Sequence, residues 1–216
     1  MEVKLIAYTQ DPERVCAAAA RSTRAREVVD HEKLSLEGAR KTVKRVAKSG
    51  HGSVLEHANF TFAINGISRA CSHQLVRHRI ASYSQQSQRY LRTRGYITPG
   101  SVADKPDAQE IYQKGMDLAW ETYGELIKMG IEDEDARYVL PNGASTSLVM
   151  TMNARSLLNF FRLRLCLRSQ WEIRKLAESM LKEARSVAPS LFEDVGPPCN
   201  EGYCPDDDEN CPLYPG

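Results

Sequence analysis

The amino-acid sequence predicts a single α+β domain. Apolar residues recur at helical spacing in several long segments, and they alternate with polar residues in a few shorter ones. Helical segments are more extensive than strand segments, and no internal repeat or interdomain linker interrupts them. With 216 residues, the chain is long enough to bury a substantial hydrophobic core.

The first half of the chain alternates between predicted helices and strands. Asp11 and Ser35 are expected to cap two helices, because their short polar side chains can accept bonds from free backbone N–H groups. Gly50 is expected to end the second of these helices. The predicted elements are a strand at 3–8, helices at 12–22 and 36–49, a turn or short helical element at 51–57, a strand at 59–64 and a helix at 67–79.

The second half is predicted to be mainly helical and to end in a tail of different composition. Beyond Pro189 the sequence is rich in Pro, Gly and Asp, so we expect a loosely ordered tail at 191–216, separate from a domain at 1–190. The other predicted features are a polar, turn-rich segment at 82–94, helices at 108–129, 132–139, 154–167 and 170–187, and a β-like run at 147–152.

Charge is unevenly distributed, although the formal net charge is only +1. Residues 57–103 contain six arginines and residues 136–171 contain five, whereas neither segment contains Asp, Glu or Lys. Guanidinium groups bind phosphate or carboxylate through paired donors. We therefore expect an anionic ligand whose charge these arginines neutralise; a chance fluctuation in composition is the alternative. The arginines are Arg69, Arg77, Arg79, Arg89, Arg92, Arg94, Arg137, Arg155, Arg162, Arg164 and Arg168.

The segment 74–90, QLVRHRIASYSQQSQRY, combines these charges with hydrogen-bonding side chains. Arg77, His78 and Arg79 stand at the predicted end of a helix and can present several donors to an anion. The serines and glutamines that follow suit a ligand carrying both a phosphate and a hydrogen-bonding base. On composition alone, a solvated polar loop beside a basic helix end explains the segment equally well.

Four motifs, in this order, resemble those of the flavin-dependent thymidylate synthases. HGSVLEH at 51–57 resembles the family's His-x-[ST]-x-x-Glu-His element. RHRIASYSQQS at 77–87 fits its signature of Arg-His-Arg, seven residues and Ser. ARYVLP at 136–141 resembles its Arg before Leu-Pro, and NARSLLNFFRLRL at 153–165 resembles its Asn-x-Arg-x-x-x-Asn-x-x-x-Leu-Arg helix. The resemblance covers about residues 1–190.

The resemblance implies an α+β fold with a mostly antiparallel sheet flanked by long helices, assembled as a homotetramer with shared active sites. It implies reductive methylation of dUMP to dTMP, with methylenetetrahydrofolate as carbon donor, FAD as cofactor and NADPH as reductant. The flavin carries the hydride and the protein orients the reactants, so no enzyme nucleophile is required. Ser87 is accordingly expected to hydrogen-bond, since no neighbouring base is evident to activate it.

The resemblance also implies roles for individual residues. A fixed cation at Arg164 would stabilise ionised uracil, which makes this residue the predicted catalytic group. The residues implied for FAD are His51, Ser53, Arg77, His78, Arg79, Gln85, Asn153, Arg155 and Asn159. The residues implied for dUMP are Gln74, Arg77, Gln85, Gln86, Ser87, Gln88, Arg89, Arg137 and Arg164.

Three positions depart from the commonest family pattern. Ser84 stands where many relatives carry Asn, Gln85 where some carry Glu, and Arg168 where some carry His. The side-chain groups offered to a ligand at these three positions therefore differ from those of many relatives.

Other functions fit the sequence less well. Two arginine-rich, tyrosine-containing segments could bind a nucleic-acid backbone, but they form no continuous basic stripe and the pI is about 7.6. Cys199, Cys204 and Cys211 could form a metal or redox site, but three thiols fall short of the four ligands of a structural zinc site. We therefore expect no metal. We also expect no secretory signal, no membrane association and a cytoplasmic location, because no long apolar segment is found.

Overall fold

A computed structural model describes residues 1–90 and 94–215 of the protein; Arg92, one of the arginines considered above, lies outside them. The described residues form four strands and nine α-helices, which confirms the predicted α+β class. The strands are β1 (Glu2–Tyr8), β2 (Asn59–Ser68), β3 (Ser82–Gln85) and β4 (Ser145–Asn153). The helices are α1 (Pro12–Ser22), α2 (Leu36–Lys48), α3 (Arg69–Leu75), α4 (Gly100–Ala103), α5 (Pro106–Lys128), α6 (Asp133–Ala136), α7 (Ala154–Arg164), α8 (Trp171–Val187) and α9 (Pro189–Phe192). Short 3₁₀ helices span Gly52–His57, Arg137–Val139 and Pro198–Glu201.

The four strands form one antiparallel sheet in the order β1-β2-β4-β3, as predicted for the sheet type. Strand β3 was expected to be part of a turn-rich loop, since its sequence SYSQ lacks the apolar alternation of a typical strand. It is held instead by pairing: just beyond β3, the backbone N–H of Gln86 donates to the carbonyl of Ser147 at 2.9 Å. Tertiary context thus overrides local sequence at this edge of the sheet.

Two of the predicted helix signals are confirmed and one is wrong. Ser35 caps α2, because its side chain accepts a bond from the N–H of Gly38, and Gly50 follows the helix in a left-handed conformation with φ of 75°. Asp11 precedes α1 but is itself left-handed, with φ of 48°, and its side chain caps no N–H group. Its carboxylate instead lies 3.3 Å from Nη1 of Arg14.

The helix predicted at 67–79 is shorter than expected. Strand β2 continues to Ser68, whose side chain then caps α3 by accepting a bond from the N–H of Cys71. Helix α3 ends at Leu75. As a result, the Arg-His-Arg triplet follows the helix instead of forming its last turn.

The chain forms two compact units that alternate along the sequence. Unit 1 comprises Met1–Glu2, Ile64–Arg77 and Ser84–Leu148, and unit 2 comprises Val3–Ala63, His78–Tyr83 and Val149–Gly216. Unit 1 contains α3, α4, α5 and α6, and unit 2 contains α1, α2, α7, α8 and α9.

The core of unit 2 is built around an aromatic cluster. Phe192 lies 5.3 Å from Phe60 and 5.8 Å from Phe161, measured between ring centroids, and all three are fully buried. Leu191 and Phe192 belong to α9, so the predicted tail boundary at 190 cuts through a packed element. The peripheral tail begins beyond these two residues.

Residues of the predicted tail form ion pairs with arginines of unit 2. Arg162 of α7 pairs with Glu201 and Tyr203, and Arg168 pairs with Asp206 and Asp208. The acidic side chains that disfavour a core therefore bind arginines within unit 2. No helix among the described residues is both long and apolar enough to cross a membrane.

Candidate active site

The centre of the candidate site in unit 2 is a contact between two of the sequence motifs. Nε of Arg164, near the end of α7, donates to Nε2 of His78 at 3.0 Å. His78 is the middle residue of the Arg-His-Arg triplet, 86 residues earlier in the sequence. The ring of His78 also packs edge-on against Phe160 of α7, with centroids 4.9 Å apart. The imidazole is thus fixed by one hydrogen bond and one buried ring.

This environment keeps His78 neutral near pH 7. Burial, reinforced by the positive charge of Arg164, lowers the pKa of His78 to about 4. Since Nε2 accepts a bond, the ring proton of the neutral form resides on Nδ1. The carbonyl of His78 accepts a 2.9 Å bond from the hydroxyl of Tyr83, whose pKa burial raises to about 12. His78 therefore orients Arg164 as an acceptor without adding positive charge.

A second group of predicted residues lies where α7 meets the 3₁₀ helix Gly52–His57. Arg155 donates to Glu56 at 2.6 Å, and its Nε would lie 3.2 Å from a Cβ added at Gly52. A larger residue at position 52 would therefore displace the guanidinium. His51 and Ser53, on either side of this glycine, are exposed. The structure thus groups Arg155 with the 51–57 motif.

The two predicted asparagines of α7 have different surroundings. Asn153 caps the helix, because its Oδ1 accepts a 2.9 Å bond from the N–H of Ser156. This bond occupies the side-chain oxygen and leaves the amide N–H donors of Asn153 for another partner. Asn159 is exposed and lines a cavity of about 590 Å³ together with Lys48 and Arg162.

The predicted residues of α7 do not all face one direction. Arg155 and Asn159 are four residues apart and share a face, whereas Arg164 is nine residues from Arg155 and about 180° away around the helix. Arg162 and Arg164 likewise have different partners: Arg162 binds the tail, and Arg164 binds His78. Helix α7 thus presents two separate sets of polar groups.

In unit 1, the first two glutamines of the predicted nucleotide loop are bonded internally. The side-chain amide of Gln85 donates to Ser72 at 2.9 Å and to Thr146 at 3.1 Å. The side-chain oxygen of Gln86 accepts a 3.0 Å bond from the N–H of Ser147. Both side chains therefore brace β3 and the start of the loop.

The remainder of this loop contains Ser87, Gln88 and Arg89. Ser87 accepts a 3.2 Å bond at its hydroxyl oxygen from the N–H of Arg89, which is a local turn interaction. Gln88 is half-buried, and Arg89 forms an ion pair with Glu134 of α6. Both members of this ion pair are about half exposed, so it is exchangeable.

Two further arginines of unit 1 influence each other. Arg137, predicted to bind dUMP, donates from Nε to the carbonyl of Glu134 at 3.0 Å. Burial, together with the nearby charge of Arg137, lowers the pKa of Arg69. Arg69 was absent from the predicted site, although it lies in the first acid-free segment. Gln74 of α3 is half-buried, with its amide 3.5 Å from the carbonyl of Ala70.

The structure corrects the expectation that the acid-free segments contain unneutralised arginines. Acids distant in sequence pair with five of them, because chain segments without acids still contact segments that have them. Within the part of the chain that is described, no ion pair forms at Arg69, Arg77, Arg79 or Arg137. The paired arginines are Arg89, Arg94, Arg155, Arg162 and Arg168.

The cysteines provide no other chemical site among the described residues. All six are free, and none of the described His, Cys, Asp and Glu side chains forms a group of three suited to a metal. Burial raises the pKa of Cys16 to about 12, so its thiol stays protonated.

Comparison with known proteins agrees with the motifs. A model of the family described as "Thymidylate synthase complementing protein" matches residues 4–190. A flavin-dependent thymidylate synthase of Geobacter sulfurreducens is 48% identical, over 98% of this chain and 94% of the relative. A flavin-dependent thymidylate synthase of Sulfurisphaera tokodaii is 49% identical, over 92% of this chain and 79% of the relative.

A solved structure is also similar in fold. The crystal structure of the UMP/dUMP methylase PolB from Streptomyces cacaoi, bound with 5-Br dUMP, superposes with a TM-score of 0.76 at 28% sequence identity. The match covers 89% of this chain and 93% of that one. Together with the Arg-His-Arg signature and its contact to α7, these similarities establish that the chain is an enzyme belonging to the flavin-dependent thymidylate synthase family.

Proposed function

We propose that the protein methylates dUMP to dTMP, using methylenetetrahydrofolate as the carbon donor, FAD as the cofactor and NADPH as the reductant. The observation that carries this proposal is the contact between Arg164 and His78, because it joins the end of the α7 motif to the centre of the signature triplet. The cytoplasmic location expected from the sequence belongs to the same proposal.

The donor set fits a flavin dinucleotide. Arg79, in unit 2, is exposed and forms no ion pair among the described residues, so its donors suit the diphosphate of FAD. Arg77, in unit 1, is likewise exposed and has no described ion pair. Arg155, Asn159, Ser53 and the N–H donors of Asn153 offer further hydrogen bonds within unit 2. When bound, the flavin supplies the hydride for the reaction.

Unit 1 contains the guanidinium groups that we propose for the phosphate of the nucleotide. Two like-charged guanidinium groups, those of Arg69 and Arg137, influence each other there without an acid partner among the described residues. A dianionic phosphate would relieve this repulsion. Arg89 could join them by exchanging its ion pair with Glu134 for the phosphate, because exposed ion pairs are weak.

Arg164 supplies the fixed charge in this proposal. A positive charge near the uracil ring favours its ionised form and increases nucleophilicity at C5. His78 contributes by accepting from Nε, which orients the guanidinium while the imidazole stays neutral. Preorganised charge of this kind needs no rearrangement as the reaction proceeds.

We also propose that the protein is a homotetramer with shared active sites. Of the 23 residues of α5, only Tyr123 is buried. Ile111 and Leu118 of α5 are 72% and 63% exposed, and Met129, which follows the helix, is 77% exposed. Offsets of 7 and 18 residues place all three on one side of the helix. These exposed apolar side chains suit another copy of the chain. Sedimentation of wild-type protein at the mass of a single 24.3-kDa chain would refute the assembly.

The proposed function is tested by flavin binding and NADPH oxidation. Purified protein should retain FAD, detectable by its visible absorbance, and should oxidise NADPH faster when dUMP is added. The matched control replaces dUMP with deoxycytidine monophosphate, which has the same phosphate and sugar. Colourless protein that gains no activity with added FAD would contradict the proposal.

A further inference from the structure

Gln85 belongs to a small polar cluster in unit 1. Its side-chain nitrogen lies 2.9 Å from Oγ of Ser72 on α3 and 3.1 Å from Oγ1 of Thr146 on β4. Ser72 and Thr146 are each only 3% exposed. Neither residue belongs to the four family motifs. Buried hydroxyl groups are expected to be hydrogen-bonded, so this cluster has a defined arrangement.

The bonding of Ser72 determines which end of the Gln85 amide faces the cluster. The single hydroxyl hydrogen of Ser72 is donated to the carbonyl of Arg69, at 3.0 Å. With that hydrogen engaged, Oγ of Ser72 accepts from Gln85, and only the NH₂ end of an amide can donate. A flipped amide would face Oγ of Ser72 with a second oxygen, and the hydroxyl would have to leave the carbonyl of Arg69 to place a hydrogen between them.

This arrangement determines which hydrogen-bonding atom of the Gln85 side chain remains for a ligand. An amide NH₂ group has two hydrogens, and Ser72 and Thr146 accept both of them. What Gln85 can offer a ligand is Oε1, which is only an acceptor. Next in the chain, Gln86 is bound to Ser147 by its backbone N–H at 2.9 Å and by its side-chain oxygen at 3.0 Å. The backbone that carries Gln85 is thereby held against β4.

We propose that Ser72 and Thr146 are positioning residues, which orient Gln85 so that its Oε1 accepts a hydrogen bond from an O–H group of the nucleotide. The inference rests on the proposed function, since it takes the loop at Gln85 to bind dUMP. It adds the requirement that the nucleotide be the donor at this position. The donor is the 3′-hydroxyl of the sugar, because the proposed reaction takes the uracil to be ionised at N3.

A pair of Thr146 variants separates positioning from packing. Thr146→Val keeps the shape of the side chain but removes the oxygen that accepts from Gln85, whereas Thr146→Ser keeps the oxygen and removes a methyl group. Thr146→Val should weaken dUMP binding about 3- to 10-fold, the effect of one neutral hydrogen bond, while Thr146→Ser binds like wild type. Thermal unfolding of both variants serves as the control for folding.

Ser72→Ala provides a second, independent variant. It removes the other acceptor and should weaken dUMP binding to a similar extent. In both weakened variants, KM for dUMP should rise more than kcat falls, because the lost interaction orients a binding group. If Thr146→Val and Ser72→Ala both bind dUMP as wild type does, or if Thr146→Ser is as weak as Thr146→Val, the inference is wrong.

A nucleotide analogue identifies the donor. If the 3′-hydroxyl donates to Oε1, Thr146→Val and wild type should bind 2′,3′-dideoxyuridine monophosphate equally. If Thr146→Val weakens the binding of both nucleotides by the same factor, the 3′-hydroxyl is not the donor and the inference is wrong. Wild-type protein that binds no dUMP would refute the proposed function itself, which distinguishes that failure from a failure of the positioning inference.

Discussion

Arg164 donates through Nε to Nε2 of His78 over 3.0 Å, while Arg162, two residues earlier on the same helix, pairs with Glu201 of the C-terminal tail. Side chains two residues apart on an α-helix point about 160° away from each other, which explains why the two arginines have different partners. This difference yields the first prediction.

Arg164→Ala should reduce dTMP formation by about 100- to 1,000-fold, the typical effect of removing one preorganised charge donor at a reaction centre. Arg162→Ala is the matched control on the same helix and should stay within a few-fold of wild type, because exposed ion pairs contribute little. Turnover, dUMP affinity and FAD content are measured for both. Equal losses, or a more severe loss in Arg162→Ala, would show that the α7 motif is misaligned.

The neutral state of His78 predicts a loss of stability in mild acid. Its pKa is lowered from the ordinary 6.5 to about 4, so the unfolded chain binds the proton more readily between these values. The contribution to stability is complete above pH 6.5 and is lost as the pH falls toward 4. The free energy of unfolding, obtained from urea titrations at about pH 7.5 and about pH 5, measures this contribution of His78.

His78→Gln is the matched variant, since its amide oxygen can accept from Arg164 but does not titrate. It should lose less stability than wild type between the two pH values. An identical loss in both proteins would assign the acid sensitivity to other groups.

The ion pair between Arg89 and Glu134 predicts a variant that binds nucleotide more tightly. If Arg89 binds the phosphate of dUMP, Glu134→Gln removes a competing carboxylate, and affinity should rise about two- to five-fold at low salt. The gain should shrink as salt is added. Asp135→Asn, a neighbouring exposed acid with no described ion pair, is the control. Unchanged affinity in Glu134→Gln would remove Arg89 from the phosphate site.

Burial of Leu191 and Phe192 predicts that the position of a C-terminal truncation decides its effect. Ending the chain after residue 189 removes Phe192, and losing a buried phenylalanine typically costs about 3 to 5 kcal/mol. Ending it after residue 200 keeps this core and removes mainly surface ion pairs, so folding and FAD binding should persist. Thermal unfolding compares the two. Equal unfolding temperatures would contradict the packing of α9.

Local signals in the sequence were sufficient for much of the fold. Ser35 and Gly50 define the ends of α2, and Asn153 caps α7, because these effects depend on residues close in sequence. Strand β3 could not be predicted in this way, since it is held by partners on β4, more than 60 residues later. A helix-capping rule likewise does not predict the left-handed backbone of Asp11.

The motifs indicated which residues to consider for the candidate site, but they did not indicate which of these residues contact each other. The signature indicated His78, and the α7 motif indicated Arg164, yet neither could show that these residues touch. The absence of acids near Arg89 and Arg155 was misleading, because Glu134 and Glu56 reach them through the fold. Arg69 was counted among the arginines of the acid-free segments but was not assigned to the site, because none of the four motifs includes it.

The most direct test of the proposed function is detection of dTMP by mass spectrometry after incubation of the protein with FAD, NADPH, methylenetetrahydrofolate and dUMP. Reactions that each lack one component are the controls. The account predicts dTMP in the complete mixture, none when dUMP or the folate is omitted, and a large loss with Arg164→Ala. Undiminished formation of dTMP by Arg164→Ala, or no dTMP from FAD-loaded wild-type protein in the complete mixture, would contradict it.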